Sequence, residues 1–422
     1  MRVRRPCAGV VRARRWHGMI GPMDRAVPMT TLRATDGVTA MCWRVATQGG
    51  LVSEQFGDVD RGPSWVYRGP AARAARLAER RIAAARHLGY RDDRPGRFDA
   101  EAALAVAAAP WRDLDGAAHP AGLILAADRR TATVIMSTDR DAPVLDHEAL
   151  MALGGACGEL AELTIDDPMA GSQRFDPLVA TVLAYRPALT RLALHHEAWC
   201  EPEDDHGSAI TWLDELDPIV RGLPTLRALD LEVTVIRGAR ALRHAGLETL
   251  RICTGDLTLA VAPALRAAEL PALTRLHLDL LAAQHVAARM GRPWQPIFTG
   301  ALPALRELTI VNAPCGDAIV EDLLGGALPP ALARLDLSRT ALGARGAARL
   351  AAARDRLAGV AAVIVDGNPL DADAVAELHR AFGDRLEFTA AGPAGRAAAP
   401  RRPYGMNSVQ VPSWQVRLVQ HG

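Results

Sequence analysis

Residues 273–278 read LTRLHL and residues 305–310 read LRELTI, two copies of a pattern with apolar residues at its first, fourth and sixth places. Working outward, the pattern recurs as LAELTI at 160–165, LTRLAL at 189–194, LRALDL at 226–231 and LETLRI at 247–252, then as LARLDL at 332–337 and VAAVIV at 360–365. The eight copies start 29, 37, 21, 26, 32, 27 and 28 residues apart. Side chains alternate along a strand, so places four and six share one side. One such strand cannot bury its leucines alone; stacking successive copies as parallel rungs makes one continuous core.

This pattern resembles the leucine-rich repeat, and eight copies near that period make the likeness specific. Leu-Pro precedes three copies (GLPTL at 222–226, ELPAL at 269–273, ALPAL at 301–305), the turn leading back into the strand. Connectors such as DAIVEDLLGGAL (317–328) and GARGAARLAAARDRLAGV (343–360) read as helices. The expected fold is therefore an α/β leucine-rich-repeat horseshoe, a parallel sheet with helical connectors, over about 155–390. The asparagine that this family carries after its last leucine is mostly missing, with VDGNPL at 365–370 coming nearest. The 37- and 21-residue spacings predict a distorted second and third repeat.

Upstream, Trp43 opens an alternating run that turns at Gly49-Gly50 and resumes as LVSEQF at 51–56, a hairpin pattern. SWVY at 64–67 adds a strand, and Gly69-Pro70 opens AARAARLAERRIAAARHLGY, a helix ending at Gly89. Its buried stripe is expected at Ala74, Leu77, Ala78, Ile82 and Ala85, with Arg73, Arg76 and Arg80 on an outer face. Trp43, the hairpin and the helix closing in Gly89-Tyr90-Arg91 resemble a WGR domain over 30–93, so a small α+β WGR-like module is expected before the repeats. In the eukaryotic poly(ADP-ribose) polymerases such a domain packs on DNA ends, which implies a docking role here. The tripeptide that names the family falls on Phe56-Gly57-Asp58, and Asp58 repels phosphate where an arginine would pair with it. Arg73, Arg76 and Arg80 are the candidate phosphate contacts, or else a solvated helix face.

Residues 94–154 read as linker and repeat cap, with a helix over 98–111, a strand over 131–138 and a helix over 145–156. The Pro/Gly/Arg-rich stretch at 391–422 reads as disordered. Residues 1–29 hold seven arginines against Asp24 and read as a flexible basic leader or an upstream start, with Met23 or Met29 as the beginning.

In a repeat of this kind places three, five and seven face the concave side. They hold Glu162, Asp166, Asp230, Glu232, Asp279, Glu307, Asp336 and Asp366 against Arg191, Arg251, Arg275 and Arg334, with His195, His277 and Cys253 among the rest. Eight acids against four arginines suit a basic protein partner and disfavour nucleic acid on that surface.

Composition excludes several chemistries. The chain has no lysine, so its 49 cations are all arginine and neither a P-loop nor a Schiff-base mechanism is open to it. That bias, with abundant alanine, is typical of a GC-rich bacterial genome. The six cysteines form no Cys-x-x-Cys pair, no apolar run approaches a membrane span, and a cytoplasmic protein is expected. HHEAWCEPEDDHG at 195–207 is rich in metal-ligating side chains, but it matches no ligand spacing and reads as an acidic loop. No nucleophile elbow or dinucleotide fingerprint occurs. The expectation is a non-enzymatic recognition scaffold without cofactor or metal, and its rival is a nucleic-acid-associated regulator.

Overall fold

The computed structural model describes residues 29–388 except 36–39, 49–50, 57–64, 69–70, 93–95, 113–117, 120, 136–145, 168–174, 186–187, 197–211, 234, 255–260, 281–293 and 299–301. The chain is mixed α/β and forms two compact units, residues 1–169 with 177–189 and residues 170–176 with 190–422.

The first unit begins with β1 (Met29–Thr35), β2 (Ala40–Gln48), β3 (Leu51–Phe56) and β4 (Trp65–Arg68), an antiparallel meander. Gln48 pairs with Leu51, which closes the expected hairpin; Gly49-Gly50 lies outside the described residues. Leu32, Ala34, Trp43 and Val45 are buried on the face that packs on α1 (Ala71–His87). On α1, Ala74, Leu77, Ala78 and Ala85 are buried as expected, but Ile82 is only half-buried and Arg81 is buried instead. Helical geometry explains the exchange: position 81 lies three and four residues beyond 78 and 77, at the stripe's centre, and 82 falls on its margin.

The helix ends where its backbone meets a fifth strand, β5 (Gly96–Arg97), which joins β1 in parallel. Gly89 has φ +94°, and a Cβ there would stand 1.9 Å from the Arg97 carbonyl oxygen. Tyr90, fully buried, meets Phe98 edge-on at 6.2 Å. The terminal Gly-Tyr pair is thus a packing device.

Next come α2 (Ala100–Ala107), capped by the Asp99 carboxylate accepting from Ala102 N–H at 2.9 Å, and the short pair β6 (Trp111–Arg112) and β7 (Ala118–His119). β8 (Leu123–Leu125) runs antiparallel to β9 (Thr131–Ile135). A crossover through α3 (Asp146–Ala156) brings β10 (Glu162–Asp167) parallel to β9, and α4 (Asp176–Tyr185) follows. Of the helix expected over 98–111 the chain forms 100–107, with Trp111 already in β6. The strand expected over 131–138 is present as far as Ile135, beyond which 136–138 lie outside the described residues. The helix expected over 145–156 forms from Asp146. The leucine-pattern copy at 160–165 pairs with β9 in this unit and buries Leu160, Leu163 and Ile165.

The second unit is built on β11 (Arg191–His196). β12 (Trp212–Glu215), α5 (Asp217–Gly222), β13 (Ala228–Glu232) and β14 (Val235–Gly238) follow, then β15 (Thr249–Cys253), α6 (Val261–Arg266) and β16 (Arg275–Asp279). It continues through β17 (Glu307–Val311), α7 (Gly316–Gly325), β18 (Arg334–Asp336), α8 (Ala344–Ala352), β19 (Ala362–Ile364), α9 (Ala372–Phe382) and β20 (Leu386–Glu387). β11, β13 and β15 to β20 lie side by side in chain order, every recorded pair parallel. No barrel closes.

The register explains the order. Leu192, Leu229, Leu250, Leu276, Leu308, Leu335 and Val363 pair rung to rung as one buried column, and Leu194, Leu231, Ile252, Leu278 and Ile310 form a second. Each buried leucine contributes roughly 1.5–3 kcal/mol, a gain that one rung standing alone could not make. Helices connect the later rungs, as the sequence predicts. The irregular second and third copies are distorted in a definite way. Their connectors contribute β12 and β14, which pair in parallel as a separate two-stranded sheet. A 21-residue repeat has no room for a full helix and returns in extended form.

Candidate functional site: the polar face of the repeat sheet

The side chains that alternate with the leucine columns form three rows on the opposite sheet face of the second unit. The row at the strand starts carries Arg191, Arg275, Glu307 and Arg334, all exposed. The middle row runs Asp230, Arg251, His277, Thr309 and Asp336 in continuous register. The row at the strand ends runs Glu232, Cys253, Asp279 and Val311. Regular rung spacing converts the sequence pattern into ladders about 4.8 Å per step.

Charge is sorted across these rows. The strand-start row is arginine-rich, with Arg275 Nε 3.6 Å from Glu307 and Arg334 NH1 3.4 Å from Glu387 at the last strand. The other two rows hold Asp230, Glu232, Asp279 and Asp336 against Arg251 alone.

At the centre lies a four-residue ionic network. Arg251 NH1 donates to Asp230 Oδ1 at 2.7 Å and reaches Glu232 Oε2 at 3.5 Å, while His195 Nε2 stands 3.3 Å from Asp230 Oδ2. Their side chains are about one-fifth exposed or less, apart from Arg251 at 30 %. Burial alone would raise the Asp230 carboxyl, but His195 and Arg251 outweigh it and hold the group down at about 2. Burial tends to lower Arg251, and Asp230 reverses this, so the guanidinium is raised and permanently charged. Burial pushes the Cys253 thiol up, reinforced by Asp279 and Glu232, so it stays a protonated thiol and is no nucleophile at neutral pH. His277 is lowered by burial and then by Arg251 beside it, which keeps its ring neutral. The arrangement supplies fixed charges and hydrogen-bonding groups for ionic recognition.

The sign of the Asp230 shift yields a prediction. A carboxyl depressed in the folded state contributes stability above its unfolded pKa and loses it as pH falls through the folded value. Stability should therefore drop by roughly 2 kcal/mol between about pH 4 and pH 2 through this residue. Urea titrations of wild type and Asp230→Asn across that range test it: the variant should lose the corresponding part of the acid dependence.

Of the expected concave-face residues, Glu162 and Asp166 lie on β10 in the first unit. Asp366 lies in the turn after β19, where its backbone carbonyl accepts from Arg339 N–H at 2.7 Å. Most of the 195–207 cluster lies outside the described residues; His195 belongs to the network above. Among the described residues no group of three or more His, Cys, Asp or Glu is placed to hold a metal ion. On α1, Arg76 is exposed, while Arg73 and Arg80 are half-buried and already engaged. Phe56 ends β3, and Gly57-Asp58 lies outside the described residues.

Two asparagines escaped the sequence reading as contributors. Asn312, at φ +57°, donates from Nδ2 to Asp279 Oδ1 at 2.7 Å and holds that carboxylate at the strand-end row. Asn368, whose motif was noticed but not its role, is buried and ties two turns together. A signal existed for both: each falls two residues or so beyond a rung's last apolar place, where a left-handed or tight turn favours asparagine.

Among the described residues no helix is long and apolar enough to cross a membrane. No protein-family model matches the chain, and no curated protein matches it. Among solved structures, it is similar to a crystal structure of a Bacteroides fragilis protein determined by a structural genomics consortium. That likeness has 17 % identity and a TM-score of 0.48, and it covers 85 % of this chain and 96 % of the other.

Proposed function

We propose that this chain is a leucine-rich-repeat recognition scaffold without catalytic activity, binding a protein partner across the polar face of its repeat sheet. A WGR-like module at 30–93 acts as a second docking element. The observation that carries the reading is the charge-sorted face itself: in-register rows of charged side chains on a scaffold of buried leucines. A rigid sheet holds such groups at fixed spacing, which favours recognition of a complementary surface. The partner presents basic side chains to the rows holding Glu232, Asp279 and Asp336, and acidic ones to Arg191, Arg275 and Arg334.

The experiment is affinity capture from the native cell with wild type and the triple variant Arg191→Glu, Arg275→Glu, Arg334→Glu. These positions are exposed, so circular dichroism should be unchanged. Partners held by wild type should be lost from the variant, with dissociation constants weakened by about two orders of magnitude. An unchanged partner set would refute the reading.

A further inference from the structure

The chain leaves the repeat sheet at one particular place. β20 is the last strand, at the end of the sheet, and runs parallel to β19. Because the recorded pairs from β11 to β20 are parallel, the chain departs on the side of the strand ends, where the row of Glu232, Cys253 and Asp279 lies. The arginine-rich row of strand starts is at the opposite edge. The sequence that follows carries charge of one sign. Residues 389–422 hold Arg396, Arg401, Arg402 and Arg417 and no acid, although the chain has 48 acids in 422 residues.

A receiving surface lies two rungs from that exit. Asp336 pairs with Ile364 and Ile364 with Glu387, so Asp336 shares a row with the exit strand at about 10 Å. Thr309 and His277 continue the row on the next two rungs, and all three side chains are half-buried. Ser338 donates from its N–H and its hydroxyl to Asp336 Oδ1, at 2.9 and 2.6 Å. Among the described residues Asp336 Oδ2, the Thr309 hydroxyl and the His277 ring meet no hydrogen-bonding partner. Three adjacent polar groups, partly shielded from water, suit a cationic side chain that brings several donors. Four acids against one arginine in these two rows set the sign of the charge they attract.

We propose that residues 396–402, RAAAPRR, dock on this patch and occupy the repeat face as an internal substitute for its basic partner. Reach permits it. Arg396 lies nine residues beyond Glu387 and Arg402 fifteen, which span at most about 30 and 50 Å, against about 20 Å from β20 to the rung of His277. Charge favours it, since each guanidinium offers the planar fork that a carboxylate accepts. Tethering strengthens it. A segment attached to the same sheet meets the patch at an effective concentration in the millimolar range, so a weak ionic contact is enough to fill it. A partner must then displace the segment, and the segment sets the threshold for binding. This inference rests on the reading of the repeat face as a binding surface and adds its regulator.

The absence of lysine supplies the experiment. In the full-length chain Arg402→Lys, or separately Arg396→Lys, introduces the only side-chain amine, which a water-soluble carbodiimide joins to a carboxylate in ion-pair contact. Peptide mapping by mass spectrometry should place the principal amide at Asp336. Its yield should fall at least tenfold between about 0.01 and 1 M salt, as the Debye length shrinks from about 30 to about 3 Å. Adding Asp336→Asn should remove the link to the same extent. Arg345→Lys, whose arginine stands 3.5 Å from Asp317, is the positive control. The proposal is overturned by no link where the control links, by links confined to Glu387 beside the exit or spread over acids elsewhere, or by a yield that salt leaves unchanged. A link between isotope-labelled and unlabelled chains also overturns it, because the occupant is then a second copy. Partner capture separates the two readings. A link at Asp336 with no partner captured by wild type leaves the docking standing and refutes the recognition reading, and a captured partner with no link does the reverse.

Discussion

Asn368→Ala is expected to destabilise the second unit by about 4 kcal/mol, from the loss of four buried hydrogen bonds at one position. The Asn368 Oδ1 accepts from the backbone N–H groups of Thr340 and Leu342, both at 2.9 Å, and Nδ2 donates to the carbonyls of Leu337 and Val365 at 2.8 and 2.9 Å. The residue is only 2 % exposed. Alanine strands the two backbone donors and the Val365 carbonyl where water has little access, each costing roughly 1–3 kcal/mol with partial relief from relaxation, while the Leu337 carbonyl keeps the Thr340 hydroxyl at 2.9 Å. Asn368→Asp keeps the acceptor half, loses both donations and buries a charge, so it should be no better than alanine at neutral pH. Urea unfolding reports the overall change, and hydrogen exchange at the amides of Leu335 and Val363, paired across β18 and β19, reports it locally. A loss below about 1 kcal/mol would show that the two turns stay joined without this side chain.

Gly89→Ala should be nearly as damaging, with about 4 kcal/mol or more lost from the first unit. Two effects add. The backbone at φ +94° is one that side-chain-bearing residues rarely adopt, and the new Cβ would lie 1.9 Å from the Arg97 carbonyl oxygen, which belongs to main chain and cannot swing away. The contact is reciprocal, for a Cβ at Gly96 would stand 1.9 Å from the Gly89 carbonyl oxygen. Either alanine should push β5 off β1 and separate Tyr90 from Phe98. Gly96→Ala should therefore resemble Gly89→Ala, and the double variant should cost much less than the sum, since one clash already opens the contact. Tryptophan fluorescence and near-ultraviolet circular dichroism follow the loss, Trp43 being buried in the same core. A native spectrum with an unchanged unfolding midpoint would contradict the argument.

The sheet registers were legible in the chain because period-two apolar patterning forces each leucine inward, and a rung with both flanks open has only another rung to close it. That is why the columns through Leu276 and Leu278 match the pattern that LTRLHL states. Less was legible on α1. Ile82 was expected in the buried stripe, yet Arg81 takes that place because the helical period, not side-chain polarity, chooses which residue faces the sheet. The short strand β5 was missed because Gly96-Arg97 has no pattern of its own and pairs only after α1 turns the chain back to β1.

The candidate faces divide along the same line. Alternation in the sequence put Asp230, Arg251, His277 and Asp336 in one row and Glu232, Cys253 and Asp279 in another, whereas Asp366 falls in a turn and Glu162 and Asp166 lie in the first unit. The sequence also determined the excess of acid over arginine there and the absence of lysine chemistry anywhere in the chain. Only tertiary structure decided who meets whom. Arg251 bridges Asp230 and Glu232 because rungs of successive repeats stack in register, and Arg91 meets Arg33 because the chain turns back to β1 after α1. Local patterning reports which way a side chain points, while its neighbours are set by contacts between segments far apart in the chain.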